Sequence, residues 1–216
     1  MKVPVIINNY NLLTWPKEMV NRLKQWENIG EIIIVDNASD YEPLLEWYDT
    51  NPCTVIRLES NMGHKAPWDS GVVSGLGTSV YAITDPDLDL SSTSKKTINK
   101  CLKALYEFKG VGKVGLRLEY KDVPEASSYY EHIQSYERNR QINTRIVNGV
   151  LIDVSIDTTF AVYDVPNYFI GGVSLSESAR HIPWYYSKEE RESDAEFSQY
   201  IKSATSASSY KTFLKL

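Results

Sequence analysis

Two carboxylates one residue apart, Asp85 and Asp87, stand where an apolar run gives way to a turn in the stretch YAITDPDLDL, Tyr81 to Leu90. The run from Ser79 to Thr84 reads as a buried strand, and Pro86 breaks it, so both acids fall at its carboxyl end. In an open α/β sheet that end is where ligands bind. Paired carboxylates there hold an apolar ligand poorly and a hard divalent cation well. Mg2+ and Mn2+ take oxygen ligands and complete their shells with water and substrate phosphates. An isolated Asp-x-Asp is more often a solvated turn, so the metal reading depends on the strand before it and on the rest of the chain. Asp89, a third acid, reads as the start of the loop toward the next helix.

Other polar residues gather at predicted strand ends. Val3 to Asn8 is a β-branched apolar run ending in Asn8-Asn9-Tyr10-Asn11, and Glu31 to Val35 is a second such run ending in Asp36, followed by Asn37-Ala38-Ser39-Asp40. Thr54 to Leu58 is a third, followed by Asn61-Met62-Gly63-His64-Lys65. Near the other end of the chain lies Arg180-His181-Ile182-Pro183-Trp184-Tyr185-Tyr186. An imidazole there serves equally as a structural group or as a metal ligand, and a neighbouring arginine can grip a phosphate with two N–H groups. Asp157, in IDTTFAVY, is an acid inside an apolar strand-like run. It suits a general base or a hydrogen bond to Thr158 or Thr159, with Asp153 in reserve.

The elements that would position these residues alternate. The first strand is followed by a helix with Thr14 as N-cap, Met19, Leu23 and Trp26 at helical spacing, and Gly30 closing it. A helix over Tyr41 to Thr50, a short one over Pro67 to Gly75, and one capped by Ser94 and reaching Phe108 separate the later strands. Such alternation predicts right-handed crossovers and a mainly parallel sheet. Lys113 to Tyr120 reads as a further strand and Tyr129 to Arg140 as a helix. Two strand-like runs fall in Val150 to Tyr163. Gly171-Gly172 and Ser174 to Ala179 read as loop, and Lys188 to Ser203 as one amphipathic helix. Residues 1–203 then form one domain, with a nucleotide-binding half over 1–110 and an acceptor-side half over 111–203, and 204–216 a Ser-rich tail or linker.

Composition limits the alternatives. The 216 residues suit one α/β domain, and 42% hydrophobic with 24% charged residues describes a globular chain. A net charge of −5 without a basic run argues against general nucleic-acid binding. Cys53 and Cys101 are too few for a disulfide framework and lack metal-ligand spacing. No stretch has transmembrane length, and the apolar start is too short for a signal peptide. A soluble cytoplasmic protein is therefore expected.

In order and spacing these stretches resemble the GT-A glycosyltransferases, the nucleotide-diphospho-sugar transferase fold, and their family-2-like members most of all, over roughly Lys2 to Tyr186. VPVIINNYN resembles the family's first strand and nucleotide-contacting loop, which assigns Asn8 and Tyr10 to the nucleotide. IIIVDNASD resembles its second strand end, where an acid reads uracil; that position is Asp36, for which an Asx turn or helix cap is the plain alternative. ESNMGH is similar to its Asn-x-Gly turn, matched by Asn61 and Gly63, with His64 and Lys65 lining the sugar-phosphate region. TDPDLD matches the metal-binding Asp-x-Asp at Asp85 and Asp87. A late histidine that returns to the metal is matched by His181, with Arg180 and Trp184 on the substrate side. Chlorella-virus and bacterial glycosyltransferase domains are similar also in their IDTTFAVY and RHIPWY-like segments, which makes a virus-encoded protein acting in a host cytoplasm compatible.

The resemblance implies a Mn2+- or Mg2+-dependent glycosyltransferase of hexosyltransferase type, moving a hexose or deoxyhexose from a UDP-sugar donor to a glycan or glycoconjugate acceptor, with Asp157 as the candidate base. The Glu-Asp pair of inverting members is absent from its expected context, which leaves a retaining mechanism open. Two other readings remain: a non-catalytic sugar-nucleotide or glycan-binding domain, and a sugar-phosphate nucleotidyltransferase, although Asn8-Asn9-Tyr10-Asn11 is not the Gly-rich basic loop the latter needs. A haloacid-dehalogenase-type phosphatase would place its Asp-x-Asp after the first strand, not the fourth.

Overall fold

A computed structural model describes residues 1–50, 52–141, 145–147, 150–152, 156, 160–165 and 172–203. In chain order the elements are β1 (Val3–Asn9), α1 (Thr14–Leu23), β2 (Ile29–Asp36), α2 (Glu42–Asp49), β3 (Thr54–Arg57), a 3-10 turn (Gly63–Lys65), α3 (Ala66–Asp69), α4 (Val72–Gly75), β4 (Tyr81–Thr84), β5 (Leu88–Asp89), α5 (Thr97–Glu107) and β6 (Lys113–Leu118). There follow α6 (Tyr130–Gln141), β7 (Arg145–Val147), β8 (Val150–Ile152), β9 (Ala161–Tyr163), β10 (Val173–His181), a second 3-10 turn (Ile182–Tyr185), α7 (Lys188–Ser193) and α8 (Ala195–Ser203). Among the described residues no helix is long and apolar enough to cross a membrane.

One sheet runs through the domain in the order β3-β2-β1-β4-β9-β6-β10-β8-β7, with β5 paired to β10. The strands from β3 to β4 are parallel, as the alternation predicts. Beyond β4 the sheet is mixed: β9 is antiparallel to both of its neighbours, β10 is parallel to β6, and β8 and β7 close the edge antiparallel. Gly115 is where β6 meets β9, and a Cβ there would come 2.5 Å from the Phe160 carbonyl oxygen, so only glycine permits this approach.

The continuous apolar runs of β1, β2 and β4 exist because both faces of the sheet are covered. Val5, Ile7, Ile32, Ile34 and Ala82 join the core on the α1 side, with Met19, Leu23 and Leu44. Ile6, Ile33, Val35, Tyr81 and Ile83 join a second cluster with Ala66 and Val73. Full burial of each such side chain is worth about 1.5–3 kcal/mol. A third cluster brings Leu12, just before α1, and Trp15 in its first turn against Tyr129, just before α6, Ile133 of α6 and Phe197 of α8, so segments far apart in sequence build one wall.

Several sequence expectations are revised. Ser174 to Ala179 is part of β10 and not a loop. VSLSESARH is apolar at Val173, Leu175 and Ala179 with polar residues between them, and the small polar Ser174 is fully buried between β6 and β8. Gly30 lies inside β2, where a Cβ would stand 3.0 Å from the Pro4 nitrogen; α1 ends earlier, and Trp26 packs edge-on to Phe160 beyond it. Pro67 to Gly75 forms two single turns parted by Gly71 at φ 82°, and Lys188 to Ser203 breaks at the extended Asp194. Asp153, Asp157 and the tail over 204–216 lie outside the described residues.

Candidate functional site

The chain leaves β1 to form β2 and β3 on one side and β4 on the other, so the sheet has its topological switch between β1 and β4. At such a switch the loops on either side diverge and open a crevice at the strands' carboxyl ends. Into this region fall Asn8 and Asn9 from β1, Asp36 and Asn37 from β2, and Asp85 to Asp87 from β4.

β4 is buried along its length, Asp85 after it is half-buried, and Asp87 is 5% exposed. What holds Asp87 is backbone. β5 pairs antiparallel with the end of β10, Leu88 opposite His181 and Asp89 opposite Arg180, and the Ile182 N–H donates to the Asp87 carbonyl at 2.9 Å. That register sets the His181 imidazole beside the Asp87 carboxylate, Nε2 to Oδ2 3.3 Å, both side chains nearly buried. The Trp184 ring lies against His181, centroids 4.9 Å apart at 58°. Asp89 ends β5 instead of opening the loop, and its Oδ1 accepts from the Ser91 N–H at 2.7 Å. Among the described residues no three His, Cys, Asp or Glu side chains gather as a metal-binding group. The Asp87–His181 pair nonetheless offers donors of the kind a Mn2+-type cation uses, a carboxylate oxygen beside an imidazole nitrogen.

On the β1–β2 side of the switch point three loops are joined by side-chain amides. Asn37 Nδ2 donates to Asn8 Oδ1 at 2.6 Å, and Asn8 Nδ2 donates to the Gly63 carbonyl at 3.2 Å. The Met62 N–H donates to Asn37 Oδ1 at 3.1 Å, and the Gly63 N–H to Asn61 Oδ1 at 2.8 Å. Asn8, Asn61 and Gly63 are thus brought together, and His64 and Lys65 follow, exposed, on the 3-10 turn. Asn37 is the residue that sequence reasoning missed; the signal was its place directly after a strand-ending acid.

Asp36 itself is fully buried and occupied by protein. It accepts from the Ser39 hydroxyl, the Ser39 N–H at 3.2 Å, the Tyr48 hydroxyl at 3.3 Å and the Arg57 Nε at 3.3 Å. Burial, and then this carboxylate, push the Tyr48 phenol well above the ordinary tyrosine range. The Ser39 N–H three residues on is an N-cap-like contact, so the carboxylate ties its own loop together, in line with the capping alternative for Asp36. Tyr10 is likewise engaged: its hydroxyl donates to the Ser203 carbonyl at 3.1 Å and its ring meets Tyr200. Arg180 bonds Asp122 through Nε at 3.0 Å and lies over the Tyr185 ring, while the Tyr185 hydroxyl donates to Asp122 at 2.6 Å. Burial pushes the Asp122 carboxyl up, but Tyr185 and Arg180 together outweigh it and hold it below the usual range. Arg180 is therefore paired with Asp122, with about half of its side chain exposed.

No family model matches the sequence, and comparison with curated proteins finds no match. Solved structures do resemble it. A mycobacterial protein is 11% identical, with 83% of this chain covering 67% of that one at a TM-score of 0.51. Glucosyl-3-phosphoglycerate synthase from Mycobacterium tuberculosis, solved with Mn2+, UDP and glucosyl-3-phosphoglycerate, is 12% identical over 76% of this chain and 57% of that one, TM-score 0.48. CMP:2-keto-3-deoxy-manno-octonic acid synthetase, solved with CTP, is 10% identical over 76% and 74%, TM-score 0.45. The chain thus spans a little over half the length of the synthase. At these identities the likeness is one of fold. The fold is a single Rossmann-like α/β domain, as expected from the sequence, with a mixed sheet in its second half.

Proposed function

We propose that this chain is a metal-dependent glycosyltransferase that takes a sugar from a UDP-sugar and passes it to a glycan or glycoconjugate acceptor. The observation that carries the reading is the Asp87–His181 pair, locked by the β5–β10 register at the carboxyl edge of the sheet. Across the switch point from it stands the amide ladder of Asn8, Asn37, Asn61 and Gly63. A cation donor set and a neutral hydrogen-bonding wall on opposite sides of one crevice suit a nucleotide diphosphate.

In this reading Asp87 and His181 hold Mn2+ or Mg2+, with Asp85 as the outer carboxylate. The cation, when bound, stabilises the charge that develops on the departing diphosphate. The chain's own groups do the rest. Asn8 and Asn37 present amide donors and acceptors to a base edge, and Asp36 fixes the loop beneath them. Asn61 and Gly63 shape the turn that carries His64 and Lys65 toward the sugar-phosphate region. Trp184, tilted against His181, offers an apolar face to the sugar side, and Arg180 lines the rim. Asp157 remains the candidate base for the acceptor hydroxyl.

Calorimetric titration of UDP with Mn2+, repeated with EDTA, tests the donor site. Binding that collapses with EDTA supports a metal-bridged diphosphate. No binding in either condition removes it. Turnover of a UDP-sugar then separates the enzyme from a sugar-nucleotide-binding domain.

A further inference from the structure

The loop that leaves β5 is tied to the first helix by one side chain. Arg22, in the last turn of α1, donates from Nε to the Leu90 carbonyl at 3.3 Å, and from Nη2 to the Ser91 carbonyl at 2.9 Å and the Thr93 carbonyl at 3.0 Å. Within the loop the other bonds are local turns: Ser91 N–H to Asp89, and the Thr93 N–H and hydroxyl to the Leu90 carbonyl. From outside, the Ser92 hydroxyl reaches the Ser178 carbonyl only at 3.5 Å, and the Glu27 N–H meets Lys95 beyond the turn. Leu88 and Leu90 are buried in the same cluster as Met19, Val20 and Leu23 of α1. The helix therefore grips this segment twice, through apolar contact beneath it and through a guanidinium on its carbonyls.

We propose that Arg22 is a positioning residue for the cation site: its grip on the Leu90, Ser91 and Thr93 carbonyls fixes the segment that carries Asp87 and so holds that carboxylate in register with His181. This rests on the proposed function. Asp87 is three residues from the nearest clamped carbonyl, and its own carbonyl and the next residue are already bonded to the end of β10. A segment held on both sides has little freedom to shift, and a donor pair set within one ångström needs that rigidity. The side chain suits the task because a planar, permanently charged fork donates in several fixed directions at once. A lysine offers a single ammonium on a flexible stem.

The test is Mn2+ binding in the presence of UDP, read from the loss of the free Mn2+ electron-spin signal, for the wild type, Arg22→Lys, Arg22→Gln and Val150→Ala. The last removes buried volume on β8, away from the clamp, and serves as a control of comparable thermal destabilisation. Arg22→Gln is expected to weaken Mn2+ binding by about tenfold or more, the scale for groups that orient metal ligands. Arg22→Lys should fall between, and Val150→Ala should bind as the wild type while folded. Wild-type affinity in Arg22→Gln overturns the proposal, as does an equal loss in Val150→Ala. If Arg22→Gln does not fold, Arg22→Lys decides alone: wild-type affinity there overturns it. A wild type that takes up no Mn2+ with UDP fails at the cation site itself and removes the proposed function, and this proposal with it.

Discussion

The Glu196 carboxylate caps Thr14 from 182 residues away: its oxygens accept from the Thr14 N–H at 3.0 and 3.1 Å and from the Thr14 hydroxyl at 2.8 Å, and one also accepts from the Leu13 N–H at 2.8 Å. The first N–H groups of a helix have no partner within it, and α1 has no side-chain cap from its own N-cap residue, Leu13. An acid on α8 supplies one and adds a negative charge at the positive end of the helix dipole. Tyr10 and Asn11 bond Ser203 at the far end of α8, so the helix is strapped across the loop between β1 and α1 at two points.

Removing the cap should be felt as stability. Glu196→Ala is expected to cost about 1 kcal/mol, the usual value of a helix cap, and to speed hydrogen exchange at Leu13 and Thr14 before the core of β1. Denaturant unfolding and amide exchange check both. Unchanged exchange at those two amides would mean that α8 lies on the loop without holding it.

Asp36 and Asn37 should separate stability from ligand binding. Asp36→Asn places an amide N–H2 among donors from Ser39, Tyr48 and Arg57 in a fully buried site. A loss of about 2–3 kcal/mol is expected from donors left unsatisfied. Asn37→Ala removes the bridge between Asn8 and Met62, and should weaken UDP binding with a smaller change in melting temperature. If Asp36→Asn lost UDP binding with no loss of stability, the base would be read by Asp36 after all.

The first four strands were legible because β1 and β2 are near-continuous β-branched runs and all four strands end in polar clusters, whereas helix bounds such as Gly30 and Pro67–Gly75 were not. The place of Asp85 and Asp87 directly after β4 was legible for the same reason, since a proline and two acids follow YAIT. β10 was not, because Ser174, Glu177 and Ser178 look like loop residues until β6 and β8 supply partners on both sides. The place of Asp36 was half legible: its strand end is plain in the sequence, but the partners that occupy it, Tyr48 and Arg57, come from α2 and β3. Nor could local pattern show that Tyr10 and Thr14 are engaged by residues near 200.

The two cysteines should be slow nucleophiles in the folded chain. Burial pushes the Cys53 thiol up to about 11, with Lys24 pulling weakly the other way, and pushes the fully buried Cys101 further in the same direction. A thiol pKa raised on folding contributes stability that is complete below the unfolded value of about 8.5 and is lost as pH rises through the folded one. Stability is thus expected to hold through neutral pH and fall between roughly pH 9 and 11, and disulfide-exchange reagents should react slowly until denaturant is added. Fast labelling of Cys53 at neutral pH would contradict its burial.

His181 is the residue on which the cation reading is most exposed to failure. Its backbone is fixed by pairing with Leu88, so His181→Ala should leave the β5–β10 register intact while removing the nitrogen 3.3 Å from Asp87. If the pair is a donor set, Mn2+ affinity measured with UDP should fall by at least about tenfold, and Asp87→Asn should do the same or worse. Asp122→Asn, which releases Arg180 without touching the pair, should leave Mn2+ affinity alone. Should His181→Ala bind Mn2+ as the wild type does and lose only melting temperature, the imidazole is a structural partner of Asp87, and the two carboxylates Asp85 and Asp87 must hold the cation without it.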